Sequence, residues 1–213
     1  MKTRLLFASN NPHKLTEVRA ILGPDLTVSS LAGAGLTEEI PEPFDTLEEN
    51  ALAKARHVHA RLGIDCFSDD SGLEVDALGG APGVRSARFA GPGGSARDNI
   101  LKLLELLHGQ ENRKARFRAV IALILNGEEF LFEGEVRGQI TREPAGGRGF
   151  GYDPVFLPDG FDQRFSEMDE TLKNTISHRG RALEKLAGFL RERGLISREQ
   201  SRSGPPGPPL SGC

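Results

Sequence analysis

Two β-rich runs, Arg116 to Leu125 and Glu128 to Val136, stand either side of an Asn126-Gly127 pair, and no other feature restricts the fold of this chain so tightly. A two-residue connection reverses an antiparallel pair best through a turn with positive φ at both central positions, and Asn-Gly is the pair that tolerates it. A long hairpin is expected here. Elsewhere strands alternate with helices: Arg4 to Ser9 reads as a short buried strand, Pro12 to about Leu22 as a helix, and Leu26 to Ser30 as a second strand. Alternation together with one long hairpin predicts an α/β fold on a mixed sheet, not a purely parallel one.

Local signals place the remaining elements. Thr46 followed by Glu49 forms a capping-box pattern, and the helix it opens aligns Leu47, Ala51, Ala55, Val58 and Leu62 on one stripe. Ser95 with Asp98 repeats the pattern ahead of Ile100, Leu103, Leu104 and Leu107. Asp65 to Ser68 reads as a strand ending at Asp69-Asp70-Ser71-Gly72, with extended chain resuming over Leu73 to Val75. Glycine-rich loops follow at Gly79 to Gly94 and at Gly146 to Tyr152, and a last helix from about Arg179 to Arg193 buries Leu183, Leu186, Ala187 and Leu190. From Ser197 the sequence becomes SREQSRSGPPGPPLSGC, which has almost nothing to bury. Residues 1–196 therefore read as one domain and 197–213 as a disordered tail.

A length of 213 residues suffices for a core without metal or disulfide staples. A formal net charge of −3 argues against a protein that coats nucleic acid, whereas a free nucleotide needs only a local cluster of cations. Cys66 and Cys213 give no disulfide framework. The start, MKTRLLFASNN, is too weakly apolar for a signal peptide, and nowhere do 18 apolar residues run together. A cytoplasmic protein without membrane or nucleic-acid partners is the expectation.

Five groups of residues carry candidate chemistry. Ser9-Asn10-Asn11-Pro12-His13-Lys14 lies where a strand hands over to a helix, so free backbone N–H groups and the positive end of the helix dipole meet there. Lys14 opposes that dipole at a cost of roughly 0.3 to 1 kcal/mol, which an anion such as phosphate would offset; the plainer reading is a solvated surface lysine. Of the adjacent Asp69 and Asp70, alternate strand geometry turns only one towards a given cleft, where it suits a divalent cation or a water to be deprotonated. Glu42, in the acidic stretch Glu38-Glu39-Ile40-Pro41-Glu42, offers a second hard oxygen ligand, and Mg²⁺ favours few protein carboxylates with water and phosphates completing its shell. Asn50 and Lys54 lie one turn apart beside the apolar stripe, so Lys54 either snorkels past the core edge or points into a cleft. Phe150-Gly151-Tyr152-Asp153-Pro154 holds the chain's one tyrosine in a loop, where an aromatic serves as a base-stacking platform or as a loop anchor. Lys173 and the pair His178-Arg179 bracket the start of the last helix, again with the wrong sign for the dipole, and point with Lys14 to one polyanionic ligand.

With these residues the chain resembles the inosine triphosphate pyrophosphatase family, the house-cleaning hydrolases of dITP and XTP in bacteria. The resemblance runs from about Arg4 to Arg193 through SNNPHK, ENALAKA, DDSGLEVDALGGAPGVRSARFAG, TREPAGGRGFGYDPVF and ISHRGRAL, in that order. It implies an elongated, bent mixed β-sheet with helices forming two lobes around a central nucleotide cleft, commonly a homodimer. It further implies hydrolysis of dITP, ITP and XTP to the monophosphate and pyrophosphate, with magnesium, keeping these bases out of DNA and RNA. By the same resemblance Ser9 to Lys14 grip the triphosphate with Lys54 beside them, and Asp70 is proton acceptor and metal ligand. Glu42 becomes the second ligand and Ser71 a substrate contact. Phe150, Gly151, Tyr152 and Asp153 wall the base pocket, and Lys173, His178 and Arg179 complete base recognition. The stretch PEPFDTLEEN departs from the family pattern, which leaves Glu38 and Glu39 as alternatives to Glu42. Two rival functions share these features: a pyrophosphatase of modified pyrimidine nucleotides, and a non-catalytic nucleotide sensor.

Overall fold

A computed structural model describes residues 3–24, 26–38 and 40–197; the expected disordered tail, 197–213, lies outside the described residues from 198 onward. Strand β1 (Thr3–Phe7), helix α1 (Pro12–Leu22) and strand β2 (Leu26–Ser30) form a parallel βαβ unit. Helix α2 (Leu47–Leu62) returns the chain to β3 (Cys66–Val75), which lies parallel to β1 on its other side. The two-residue strand β4 (Pro82–Gly83) pairs with β3, and helix α3 (Ala96–Leu106) follows. Strands β5 (Lys114–Leu125) and β6 (Glu128–Ile140) make the hairpin, β7 (Phe156–Pro158) adds to β6, and helices α4 (Glu170–Ile176) and α5 (His178–Glu192) end the described chain. The sheet runs β2-β1-β3-β5-β6-β7 with β4 off this path beside β3, a mixed sheet as expected.

The hairpin turn has φ 51° at Asn126 and 82° at Gly127, the primed geometry that its sequence calls for. Its strands reach beyond the expected Arg116 and Val136 to Lys114 and Ile140. Strand β3 corrects the sequence reading. It is one continuous ten-residue strand with no break at Asp69 to Gly72, because β5 pairs with every residue from Cys66 to Val75 and this ladder overrides the turn propensity of Asp-Ser-Gly. The first strand ends at Phe7 instead of Ser9, where the Ser9 N–H folds back to the Phe7 carbonyl at 2.8 Å. The Ser95–Asp98 box forms in full, whereas at Thr46 only half does: the hydroxyl accepts from Glu49 N–H, and the Glu49 carboxylate takes the hydroxyl proton instead of a backbone one. Helix α4, capped by Asp169, was not expected.

Alternate residues of β5 feed two cores on opposite faces of the sheet. Ala119, Ile121 and Leu123 pack with Phe7, Phe67 and the α5 residues Leu183, Leu186 and Leu190. Val120, Ala122 and Ile124 pack with Ala51, Ala55 and Val58 of α2. A third core occupies the other end of the long strands, where Leu73, Val75, Phe117 and Val136 meet Ile100 and Leu103 of α3. Between the two ends, β3 carries Asp69 and Asp70, both buried. Two close approaches fix this middle: a Cβ on Gly72 would meet the Gly83 carbonyl oxygen at 2.3 Å, and one on Gly134 of β6 would meet the His178 carbonyl oxygen at 2.1 Å. Glycine alone lets β4 lie on β3 beside Asp70, and lets α5 begin directly on the hairpin.

Candidate active site

A cleft of about 790 Å³ opens at this polar middle, and every site residue expected from sequence except Pro12 lines it. Pro12 occupies the first turn of α1, where its missing N–H costs nothing.

The turn before α1 is built differently from the expectation. The Asn11 side chain accepts from the N–H groups of His13 and Lys14, at 3.0 and 3.3 Å, and Ser9 Oγ accepts from Asn11 N–H at 3.2 Å. Asn10 Oδ1 accepts from Ala32 N–H at 3.2 Å. These backbone donors are therefore consumed by the turn itself, and what it offers an anion is side chains: the Ser9 hydroxyl, the Asn10 and Asn11 amides, and Lys14. Nor does Lys14 lack a counter-charge, since its Nζ lies 2.8 Å from Asp69 Oδ1. Burial pulls the Lys14 ammonium below its usual pKa, and Asp69 only partly restores it.

Asp69 and Asp70 point to opposite faces of β3 and live in opposite environments. Asp69 sits between Lys14 and Arg179, whose Nε is 2.9 Å from Oδ2. Burial alone would raise this carboxyl, but Lys14, Arg179 and Lys54 outweigh it and hold it far below the usual carboxylate range. Among the described residues Asp70 receives a single ion pair, from Lys54 Nζ to Oδ1 at 3.1 Å, while its Oδ2 is buried without a partner. Burial raises the Asp70 carboxyl despite Lys54. The same Lys54 ammonium lies 2.6 Å from Glu42 Oε1 and 2.7 Å from the Asp69 carbonyl oxygen. Burial works against that ammonium, yet Asp70, Glu42 and Asp69 together raise its pKa. Of the three candidate glutamates, Glu42 is the one beside Asp70; Glu38 pairs with Arg61 and His57, and Glu39 lies outside the described residues.

At the other end Phe150 and Tyr152 separate in role. Tyr152 is 4% exposed and packs in the core, its hydroxyl donating to the Ser86 carbonyl at 2.9 Å, so its ring is a loop anchor and not the stacking platform. Phe150 presents a face: the His13 ring stacks on it at 5.4 Å, and Lys173 Nζ lies 4.9 Å from its centroid. Asp153 accepts from Phe150 N–H and from Lys173 Nζ, both at 2.8 Å, and buttresses the loop around Gly151. Burial raises the Asp153 carboxyl, with Lys173 opposing. His178 is stacked 4.7 Å from Phe117, and its Nδ1 has no partner among the described residues. Burial, reinforced by Arg179 and Lys173, holds His178 neutral, so it is not one of the expected cations.

Two residues that sequence reasoning passed over complete the arrangement. Glu17, one turn beyond Lys14 on α1, pairs with Lys173 at 3.1 Å and with Arg179. Arg88 reaches Glu42 from the glycine-rich segment at 3.3 Å. Arg179, 2% exposed, is committed to Asp69, Glu17 and Ser71. The cations at both helix starts thus have carboxylate partners, which removes the argument that they point to one polyanionic ligand. Lys14, Lys54, Lys173 and Arg179, with Arg88 at the edge, face Glu17, Glu38, Glu42, Asp69, Asp70 and Asp153, so the cations of the cleft do not outnumber its carboxylates. Such a cleft has no surplus charge to draw in a bare polyphosphate.

A mixed α/β sheet with paired carboxylates at one end of a cleft and an aromatic and a neutral histidine at the other defines a nucleotide-handling class. Residues 5–189 match the model of the Ham1 family, and the chain belongs to that family. It is 52% identical over 188 residues to the dITP/XTP pyrophosphatase of Porphyromonas gingivalis, covering 88% of this chain and 97% of that one. It is 48% identical over 187 residues to the dITP/XTP pyrophosphatase of Flavobacterium johnsoniae, with the same coverage. Among solved structures, the HAM1 protein of Coxiella burnetii superposes with a TM-score of 0.83 at 38% identity, covering 89% of this chain and 99% of that one. No helix among the described residues is long and apolar enough to cross a membrane.

Proposed function

We propose that this chain is a Mg²⁺-dependent pyrophosphohydrolase that cuts dITP, ITP and XTP to the monophosphate and pyrophosphate, acting as a cytoplasmic homodimer. The substrate class follows the dITP/XTP relatives. The observation that carries the chemistry is Asp70: a buried carboxylate oxygen without a partner among the described residues, at a cleft whose cations already face carboxylates.

These residues fit a divalent cation. Among the described residues no group of three His, Cys, Asp or Glu could hold a metal unaided, but Asp70 and Glu42 converge on one ammonium and offer the few carboxylates that Mg²⁺ favours. Bound there, the cation supplies charge neutralisation for the polyphosphate. Asp70 orients a water and takes its proton as the water oxygen bonds to phosphorus and the bridge between the α and β phosphorus breaks, freeing monophosphate and pyrophosphate; a raised carboxyl is the better base for this. Lys54 holds Asp70 and Glu42 in place. Phe150 stacks on the base, and neutral His178, in the tautomer that carries its proton on the ring nitrogen facing the base, donates to the 6-oxo edge. Adenine presents an amino donor at that edge and would leave a buried donor unpaired.

Pyrophosphate release from ITP, with and without Mg²⁺, tests the reading. Turnover of ITP and XTP well above ATP and GTP, lost on chelation, is expected. Turnover of modified pyrimidine nucleotides instead, or binding without turnover, would replace it with one of the two rivals. Hydrolysis in ¹⁸O water assigns the attacked phosphorus, label in the monophosphate meaning attack at α. Sedimentation of the pure protein tests the dimer.

A further inference from the structure

Glu42 lies on a segment with little of its own to hold it. Pro41 and Pro43 flank it and lack N–H donors. Beyond Pro43, the Asn50 side chain exchanges two hydrogen bonds with the Phe44 backbone, both 3.0 Å. Of the Glu42 carboxylate, Lys54 takes Oε1. The rest of the residue is gripped by Arg88, whose Nη1 donates to Oε2 and whose Nη2 donates to the Glu42 carbonyl, both at 3.3 Å. One guanidinium therefore fixes backbone and carboxylate together, a two-point geometry that Arg has and Lys lacks.

The turn that carries Arg88, Ser86–Arg88, is braced from three elements. Ser86 Oγ accepts from Leu73 N–H of β3 at 2.8 Å and donates to the Gly83 carbonyl at 2.6 Å. The Tyr152 hydroxyl donates to the Ser86 carbonyl at 2.9 Å. Asn99 of α3 accepts from Ala90 N–H at 2.6 Å and donates to the Ala87 carbonyl at 3.1 Å. A carboxylate on a sparsely bonded segment is thus tied, beyond its pairing with Lys54, to a firmly held turn.

We propose that Arg88 is the positioning residue for Glu42, presenting its carboxylate beside Asp70 to the divalent cation; this rests on the reading of Glu42 as a cation ligand. The contrary effect, repulsion between guanidinium and cation, is weakened by water, since the Arg88 side chain is 45% exposed. Loss of the grip is not screened in that way.

The test measures Mn²⁺ binding to the full chain by electron paramagnetic resonance for wild type, Arg88→Ala, Arg88→Lys, Glu42→Gln and the Arg88→Ala/Glu42→Gln pair. Arg88→Ala is expected to weaken Mn²⁺ binding about tenfold, the low end for groups that orient a metal ligand. Arg88→Lys should fall between it and wild type, and the pair should bind no more weakly than Glu42→Gln alone. ITP turnover by Arg88→Ala should recover as Mg²⁺ is raised. Unchanged or tighter Mn²⁺ binding in Arg88→Ala, or a deficit that adds in full to that of Glu42→Gln, overturns the proposal while leaving the ligand assignment standing. Wild-type Mn²⁺ affinity in Glu42→Gln overturns the assignment, and the proposal with it.

Discussion

Replacing Asp69 by Asn keeps the shape of the side chain but removes the charge that Lys14 and Arg179 share, whereas the same change one residue on, at Asp70, removes the proposed base. The two variants should separate stability from chemistry. Removing one partner of a buried ion pair costs about 3 to 5 kcal/mol. Arg179 keeps Glu17, and the Lys14 side chain retains 17% exposure and can rehydrate, so the lower end applies to Asp69→Asn. About 3 kcal/mol corresponds to a fall in Tm of roughly 6 to 12 °C for a domain of this size. Asp70 already suffers from burial when ionised, and Lys54 retains Glu42 and the Asp69 carbonyl without it. Asp70→Asn should therefore change stability by less than about 1 kcal/mol while cutting turnover on the order of 10² to 10⁴-fold, the range for a general base. Urea unfolding gives the midpoints. Because the folded-state pKa of Asp69 is depressed, its contribution is complete above the unfolded value of 3.8 and is lost as pH falls through the folded one. The wild-type advantage over Asp69→Asn should accordingly persist at pH 7 and shrink in strong acid. Equal midpoints at pH 7, or a gap indifferent to acid, would refute the assignment of Asp69 as the counter-charge of the cleft.

His178 is held neutral below its usual value of 6.5, so the unfolded chain takes up its proton first and stability drops as pH falls below that value. The difference in unfolding free energy between wild type and His178→Gln should be flat above about pH 7 and decline by at most about 1.4 kcal/mol per pH unit below about 6; parallel curves would remove His178 from this role. Phe150→Ala should raise KM for ITP about tenfold, as loss of one base stack does. Tyr152→Phe should instead cost about 1 kcal/mol of stability in urea unfolding through loss of its hydroxyl's bond to Ser86, while an unchanged KM in Phe150→Ala would remove Phe150 as the platform.

Features written in neighbouring residues were legible in the sequence. The Asn126-Gly127 turn, the α2 stripe and the Ser95–Asp98 box each follow from contacts within a few residues. Features set by partners far along the chain were not. Strand β3 keeps its course through Asp69 to Gly72 because β5, some fifty residues on, supplies the ladder. Lys14 finds its counter-charge 55 residues away and Arg179 finds Asp69 at a distance of 110, so a dipole argument confined to each helix start assigned both cations to a ligand. In Phe150-Gly151-Tyr152 the residue types allow either aromatic to face out, and the turn around Gly151, with φ 61°, decides it.

The pairing of those cations changes what the cleft can select. Had Lys14, Lys173 and Arg179 lacked partners, the site would attract any polyphosphate by charge alone. With each of these cations already facing a carboxylate, a bare triphosphate would gain little Coulomb energy and would displace existing pairs to bind. A cation that arrives with it, and meets Asp70 Oδ2, restores the balance, so under the proposed function affinity for ITP should depend on Mg²⁺ before any bond is cut. Equilibrium binding of a non-hydrolysable ITP analogue reads this directly. It should weaken on chelation in wild type and lose most of that dependence in Asp70→Asn, whereas metal-independent binding in wild type would return the site to one governed by its lysines and arginine.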